Sequence, residues 1–251
     1  MEKTFISLLA ALLILGCTRE ARPGKTQLVT FNIGNVQTGD IATKAGVTAL
    51  LTASAPAPAD VTLTLVSKTN SRRTYKVKPG EAVAVALDTY RAYVWHTPAS
   101  VGECFHGTIH HTPAFYIDTT LTIEEGVTSY TLPASYDCIA LVWDKTTTAA
   151  YQVLNTSSTL ADVAWPWVTD GDLALVYVKT TGWSVSSPLV VLAQPVDDVG
   201  HEPTQYKLAT AGSSADVLLA EPGKWYTFHP GEVAATSGTL SFSLPEWTAG
   251  N

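Results

Sequence analysis

Short runs in which apolar and polar residues alternate recur along the chain. Of all its sequence features, this period of two most restricts the folds that the chain can adopt. In VTLTLVS, residues 61–67, Val61, Leu63 and Leu65 share one face and the threonines lie on the other. A strand places successive side chains on opposite faces of a sheet, so the pattern predicts half-buried strands. The other such runs, rich in β-branched and aromatic residues, begin at Leu28, Tyr75, Tyr90, Leu121, Ala174, Pro188 and Gly238.

These short strands, separated by Gly and Pro, predict an all-β chain folded as a β-sandwich. Only AGVTALLTA from Ala45 and NTSSTLADVAW from Asn155 are patterned as short helices. Pro133, in TLPASYD, interrupts a strand pattern just before the apolar run CIALVW. The expected boundary therefore divides two tandem sandwiches, residues 28–133 and 134–251, each of about 110 residues. One larger sandwich is the alternative.

The N-terminal sequence MEKTFISLLAALLILGC has the form of a bacterial lipoprotein signal. A short charged lead, an apolar stretch too short to span a bilayer, and Gly16 before Cys17 predict a signal peptide over residues 1–16. Cys17 would become the lipidated N-terminus, carrying acyl chains such as palmitate. Residues 17–27 would form a tether between this anchor and the first strand. The sequence thus predicts a protein attached to a membrane through its lipid.

The acidic balance of the chain excludes some partners. The net charge is −7 at pH 7, which disfavours nucleic acid and a basic, membrane-binding protein face. No nucleotide-binding glycine pattern or nucleophile elbow is present either. We therefore expect neither catalysis nor a cofactor.

The stretch GECFHGTIHHTP, residues 102–113, contains Cys104, His106, His110 and His111 and could suggest a metal centre. On a strand, residues four apart lie about 13 Å from each other, which is too far to share one ion. Neighbours such as His110 and His111 would point to opposite faces. The stretch is therefore predicted to be a turn between strands, and no metal ligand is assigned.

Cys104 and Cys138 are the two cysteines that remain after lipidation. Outside the cytoplasm they could form one disulfide. Cys138 begins the apolar run CIALVW, where a free cysteine would serve equally well as a small buried side chain. Both interpretations stay open.

The best candidate for a glycan-binding loop is AWPWVTDGD. Trp165 and Trp167 flank a proline close to Asp170 and Asp172, and sugars combine stacking on aromatic rings with hydrogen bonds to acids. The alternative is that both tryptophans are buried at the end of a sandwich, since aromatic side chains usually contribute apolar area to cores.

Several pieces in order resemble the fimbrillin-like lipoproteins of anaerobic Gram-negative bacteria. They are the lipoprotein signal, a tether with Arg19 and Arg22, the early strand LVTFNIG, and the strands LDTYRAYVW and YDCIALVWDK. The resemblance implies two transthyretin-like sandwiches and a non-catalytic role as a pilus subunit or surface adhesin. It also implies anchoring in the outer membrane, on its surface or periplasmic face, with other pilus subunits or host ligands as partners. The alternative function, which depends on exposed aromatic residues and not on the resemblance, is that of an outer-membrane lipoprotein that binds glycans.

Pilins of that family polymerise when one subunit donates a strand to a groove in its neighbour. GTLSFSLPEW, residues 238–247, offers Leu240, Phe242 and Leu244 on one face as a possible donor strand. An ordinary last strand, paired inside its own domain, is the alternative. Cleavage after Arg19 or Arg22 would release the lipid without emptying a groove, because both precede the first strand.

Overall fold

A computed structural model describes residues 25–34, 53–153, 166–180, 182–197, 203–230 and 236–239, together with positions 47, 50 and 51. Several predictions lie outside these residues. They are the signal peptide, lipidation at Cys17, all of the tether before Lys25, the helix from Asn155, Trp165, and the donor residues Leu240, Phe242 and Leu244.

The described residues form nineteen strands and a short 3-10 helix, Pro58–Asp60. The strands in chain order are β1 (Thr26–Ile33), β2 (Leu63–Ser67), β3 (Thr74–Val77), β4 (Ala82–Ala86), β5 (Thr89–His96), β6 (Gly102–Cys104), β7 (Gly107–His110), β8 (Phe115–Thr122), β9 (Ser129–Leu132), β10 (Ser135–Tyr136), β11 (Ile139–Asp144), β12 (Thr148–Val153), β13 (Val168–Asp170), β14 (Leu173–Thr180), β15 (Leu189–Pro195), β16 (Thr204–Ala209), β17 (Leu218–Leu219), β18 (Lys224–Thr227) and β19 (Thr236–Thr239).

Two sheets enclose the first core. One has three strands in the order β4–β1–β9, and the other has five in the order β10–β8–β5–β2–β3. β1 is the central strand of its sheet, antiparallel to β4 and parallel to β9. The inward residues of both sheets meet in one hydrophobic cluster, in which Phe31, Leu63, Leu65 and Tyr90 are fully buried. This is the sandwich that the alternating sequence predicts.

A third sheet follows the order β19–β18–β11–β14–β7–β6, and β13 pairs with β14 beside it. Both faces of its middle strands, β11 and β14, are buried. In β11, Ala140 and Val142 belong to the first core, whereas Ile139 and Leu141 belong to a second. Strands covered on both sides are apolar throughout, which accounts for the unbroken run CIALVW. We call this sheet the central sheet.

The second core lies between the central sheet and a four-stranded sheet of order β12–β15–β16–β17. Its largest fully buried side chains include Trp183, Tyr226 and Phe228. The central sheet therefore separates two cores and contributes residues to each. The all-β sandwich fold predicted from the sequence is confirmed.

Part of the helix predicted from Ala45 is also present. Positions 47, 50, 51 and 53 are helical, and Val47, Leu50 and Leu51 are buried in the first core. Just after it, the Ser54 hydroxyl lies 2.7 Å from the hydroxyl of Tyr177 in β14. Within the described residues, no helix is long and apolar enough to cross a membrane.

The sheets do not divide cleanly at residue 133. β10 lies after the predicted boundary but pairs with β8. β6 and β7 lie before the boundary, yet β7 pairs with β14 in the central sheet. The chain changes sheets near the predicted position, while one hairpin from its first half lies in a sheet otherwise built from its second half.

Candidate functional site

Three aromatic side chains lie together on the outer face of the five-stranded sheet. In β5, Tyr90 and Val94 point into the core, so Tyr93 and Trp95 point outward. Trp95 is 59% exposed, and Tyr116 of β8, which pairs directly with it, is 42% exposed. We call Tyr93, Trp95 and Tyr116 the aromatic face. Among the described tryptophans, Trp95 is the most exposed, since Trp143 and Trp167 are half-buried and Trp183 and Trp225 are buried.

Contacts between the rings, and with the charged side chain of Arg91, hold the side chains of this face in place. The Tyr93 and Trp95 rings are 5.2 Å apart, and the Arg91 guanidinium lies 5.1 Å from the centre of the Tyr93 ring. Arg91 also donates two hydrogen bonds to Asp118, at 2.8 and 2.6 Å. These bonds, followed by the positive charge of Arg91, lower the pKa of Asp118. The ion pair limits the side-chain motion of Arg91 and balances its charge.

Two adjoining clefts meet at Trp95, with volumes of about 270 and 550 Å³. Both are lined by Asp60, Trp95 and His96. The smaller cleft continues along Thr62 and Thr64, while the larger is closed by the loop after β5 and by residues after β7. The indole therefore stands between a smaller recess that is lined mainly by polar surface and a larger one that is lined mainly by apolar surface.

His96 forms part of the shared wall. Burial lowers the pKa of its imidazole, and His110 adds to this effect, while Asp60 opposes it. The ring packs on Phe115 with centres 5.1 Å apart. Because its pKa is lowered, His96 is neutral at pH 7, and Asp60 carries the charge of this wall. Among the described residues, none forms a hydrogen bond or an ion pair with the Asp60 carboxylate.

This face is not among the sites predicted from the sequence. YRAYVW predicts that Arg91, Tyr93 and Trp95 share one side of a strand, but Tyr90 on the other side is aromatic too. The alternation therefore does not tell which side is buried. The charged Arg91, on the same side as Tyr93 and Trp95, is the signal that could have indicated an exposed side.

The histidine-rich stretch forms the hairpin β6–β7, with Phe105 and His106 in its turn. His110 is buried, and its ring nitrogens lie 3.1 Å from the Ala99 carbonyl and 2.9 Å from the Thr108 hydroxyl. A ring nitrogen of His111 lies 2.8 Å from the Pro166 carbonyl. Within the part of the chain that the structure describes, no three His, Cys, Asp or Glu side chains are grouped to hold a metal ion.

Both described cysteines are buried free thiols. Cys104 lies in the second core and Cys138 in the first, so the structure does not join them in the disulfide considered from the sequence. The Cys138 thiol donates a weak hydrogen bond, 3.4 Å long, to the Ala114 carbonyl.

The loop proposed for glycan binding is only partly described. Trp167 is half-buried against the second core and makes an edge contact with Trp143, with ring centres 5.8 Å apart. Asp170 and Asp172 are exposed. The packing of Trp167 fits the alternative interpretation for that residue, whereas Trp165 lies outside the described residues.

No protein-family model matches the chain, and no curated protein matches it either. Several solved structures match the chain at low sequence identity. A candidate cell adhesion protein from Bacteroides eggerthii is 14% identical, with a TM-score of 0.45 over 88% of this chain and 98% of that one. A fimbrial assembly protein from Parabacteroides distasonis is 10% identical, with a TM-score of 0.40 over 81% and 90%. The fimbrial anchor protein Mfa2 from Porphyromonas gingivalis is 11% identical, with a TM-score of 0.24 over 81% and 90%.

All three are bacterial proteins of adhesion or of fimbriae.

Proposed function

We propose that the chain is a lipid-anchored, fimbrillin-like subunit of the cell envelope, with a structural or adhesive role and no catalysis. The solved structures named above suggest the hypothesis, and its support comes from the chain itself. Cys17 would hold the acyl chains in the outer membrane, and residues 18–25 would connect this anchor to β1.

The observation that best supports anchoring is the position of β1. This first described strand follows directly on the tether, and it is hydrogen-bonded to a neighbour on each side. Val29, Phe31 and Ile33 are completely buried beneath it. A pull directed along the strand axis would strain the hydrogen bonds to β4 and β9 together rather than one after another. Such an arrangement suits a protein that must hold a load at its N-terminus.

The test of anchoring is to express the full chain in a Gram-negative host with an alkyne analogue of palmitate. The wild type is expected in the outer-membrane fraction, carrying the label. Cys17→Ser should lose both the label and the membrane association, while the matched variant Cys104→Ser should keep them. An unlabelled wild-type protein in the periplasm would contradict the proposal.

Assembly with other subunits is a separate part of the proposal. β19 pairs antiparallel with β18 of the same chain, which suits the alternative of an ordinary last strand over its four described residues. If Leu240, Phe242 and Leu244 nevertheless act as a donor strand, Phe242→Asp should abolish a ladder of detergent-stable oligomers. An acylated monomer in the wild type would exclude polymerisation and leave a role at the base or tip of a fimbria.

A further inference from the structure

We propose that the aromatic face and its two clefts bind a neutral carbohydrate, with one sugar ring stacked on the Trp95 indole and hydroxyl groups donating to the Asp60 carboxylate. This site is distinct from the loop of Trp165 and Trp167. It goes beyond the proposed anchoring function and does not depend on it.

The exposure of the rings is the first reason. A single exposed apolar side chain is unremarkable in a folded protein, but adjacent exposed apolar side chains commonly mark a binding surface. Here Trp95 contacts Tyr93 and pairs directly with Tyr116 across the strands. The flat face of an indole matches the C–H face of a sugar ring in size and polarity.

The charges around the indole select the kind of ligand. Arg91 is paired with Asp118, and neutral His96 adds no positive charge. The Asp60 carboxylate, which both clefts share, has no partner among the described residues. Lys76 lies opposite Thr64, and the Lys78 ammonium donates to the Ala59 carbonyl beside Asp60, so the local charges are mixed and do not favour an anion. A ligand rich in hydroxyl groups can donate to Asp60 and to the threonines of the smaller cleft.

The shape of the site points to more than one sugar unit. Clefts that bind small molecules usually measure about 300–1,000 Å³, and the recesses on the two sides of Trp95 measure about 270 and 550 Å³. Because they adjoin at the indole, an oligosaccharide can occupy both while its middle ring stacks on Trp95. A flat protein partner would leave these recesses empty.

The experiment is electrophoresis of the mature chain through native gels that contain xylan, mannan or mixed-linkage β-glucan, with pectin as an anionic control. At least one neutral polymer should retard the wild type. Calorimetry with hexasaccharides of that polymer should then give an affinity that falls about tenfold or more in Trp95→Ala, because the stacking surface is lost. Asp60→Asn, which keeps the indole, should weaken binding by a smaller factor.

Leu219→Ala is the matched control, since Leu219 is 48% exposed on β17 in another sheet. Its affinity should equal that of the wild type, and circular dichroism should show that every variant is folded. The bound hexasaccharide should also protect tryptophan fluorescence from quenching by acrylamide in the wild type but not in Trp95→Ala.

The proposal is overturned if no neutral polymer retards the wild type, if only pectin does, or if Trp95→Ala binds as well as the wild type. That last result would move the glycan site to another part of the chain.

Discussion

Asp88 joins two turns through a single carboxylate. It accepts hydrogen bonds from the hydroxyls of Ser67 and Thr69, both at 2.6 Å, and from the backbone N–H of Thr89 at 2.7 Å. Arg73 lies 3.2 Å away. Burial raises the pKa of this carboxyl group, but the hydrogen bonds and Arg73 outweigh burial, so its pKa lies below the ordinary value of 3.8. The turn between β2 and β3 is thereby fixed to the start of β5.

Replacement of Asp88 by Asn should lower the free energy of unfolding at pH 7 by about 1–3 kcal/mol, because charge-assisted hydrogen bonds are lost in a buried place. The carboxylate stabilises the fold above its unfolded pKa, and this contribution disappears as the pH falls through the lower folded pKa. Urea unfolding at pH 7 and at successively lower pH should therefore show the difference from the wild type shrinking in acid.

Glu81→Gln is the control for this measurement. Glu81 is exposed, and charges in contact with water contribute little to stability. We expect no measurable change at either pH. A loss at Asp88 that stays constant down to acid pH would show that the charge of Asp88 does not stabilise the fold.

The two buried thiols, Cys104 and Cys138, are expected to be protected from reagents in the folded chain. Burial raises the pKa of Cys104 and of Cys138 to about 12. A thiol reacts as its thiolate, so neither should be labelled by a maleimide in the folded mature chain at pH 7. Both should be labelled in denaturant without a reductant. A chain that shows no thiol under those conditions would instead contain the disulfide.

The exposure of Trp95 shows how far the burial of a single residue can be predicted from the sequence. The alternation in VTLTLVS indicates which side faces the core, because one side is apolar and the other is threonine. In YRAYVW both sides carry aromatic rings, so within the sequence only the charge of Arg91 distinguishes them, and the packing of Tyr90, Ala92 and Val94 into the core shows that Tyr93 and Trp95 lie on the outer side. Burial there is decided by the neighbouring strands, which the local sequence does not specify.

The β6–β7 hairpin is the element that connects the two halves of the chain. It lies in the loop region between β5 and β8, but β7 pairs with β14 from His110 opposite Tyr177 to Gly107 opposite Thr180. The strands themselves follow from local patterns. The pairing of two strands so distant in sequence depends on tertiary packing, so alternation predicts the strands of this protein better than their partners.

Because Gly107 has no side chain, β7 can lie close to the backbone of β14. A Cβ atom at Gly107 would lie 2.9 Å from the Lys179 carbonyl oxygen and 3.0 Å from the Cys104 sulfur. Gly107→Ala should therefore reduce the free energy of unfolding by about 1–3 kcal/mol through overpacking. Thermal or urea unfolding of the purified variant measures the loss.

Gly102→Ala supplies the matched control within the same hairpin. Its Cβ would meet the side chain of Ile109 at 3.4 Å, which is ordinary contact. We expect this variant to be close to the wild type or slightly more stable, since alanine restricts the unfolded chain. Equal losses at both glycines would mean that the backbone contact to Lys179 is not what excludes a side chain at Gly107.

The central sheet contributes residues to both cores, so the stability of each core depends on the other. Leu141 of β11 is buried in the second core and Leu175 of β14 in the first, although these strands are direct neighbours. Separate sandwiches joined by a linker would unfold independently. A sheet that supplies both cores should instead lose both together.

Leu141→Ala and Leu175→Ala test this dependence. Both side chains are fully buried, so each substitution should reduce stability by about 2–5 kcal/mol. Differential scanning calorimetry should show one transition in the wild type and in both variants, shifted to lower temperature in each. Two peaks, of which each variant shifts only one, would show that the halves are independent domains.

The position of β1 also determines when, during synthesis of the chain, its sheet can form. β1 is made first, yet its partners β4 and β9 end at Ala86 and Leu132. Until residue 132 has left the ribosome or the export channel, Val29, Phe31 and Ile33 have no complete sheet in which to be buried. Such long-range pairing makes folding slow, and the nascent chain exposes an apolar strand throughout that interval. A chaperone that recognises extended apolar segments would therefore find its target in β1, the first strand that the structure describes.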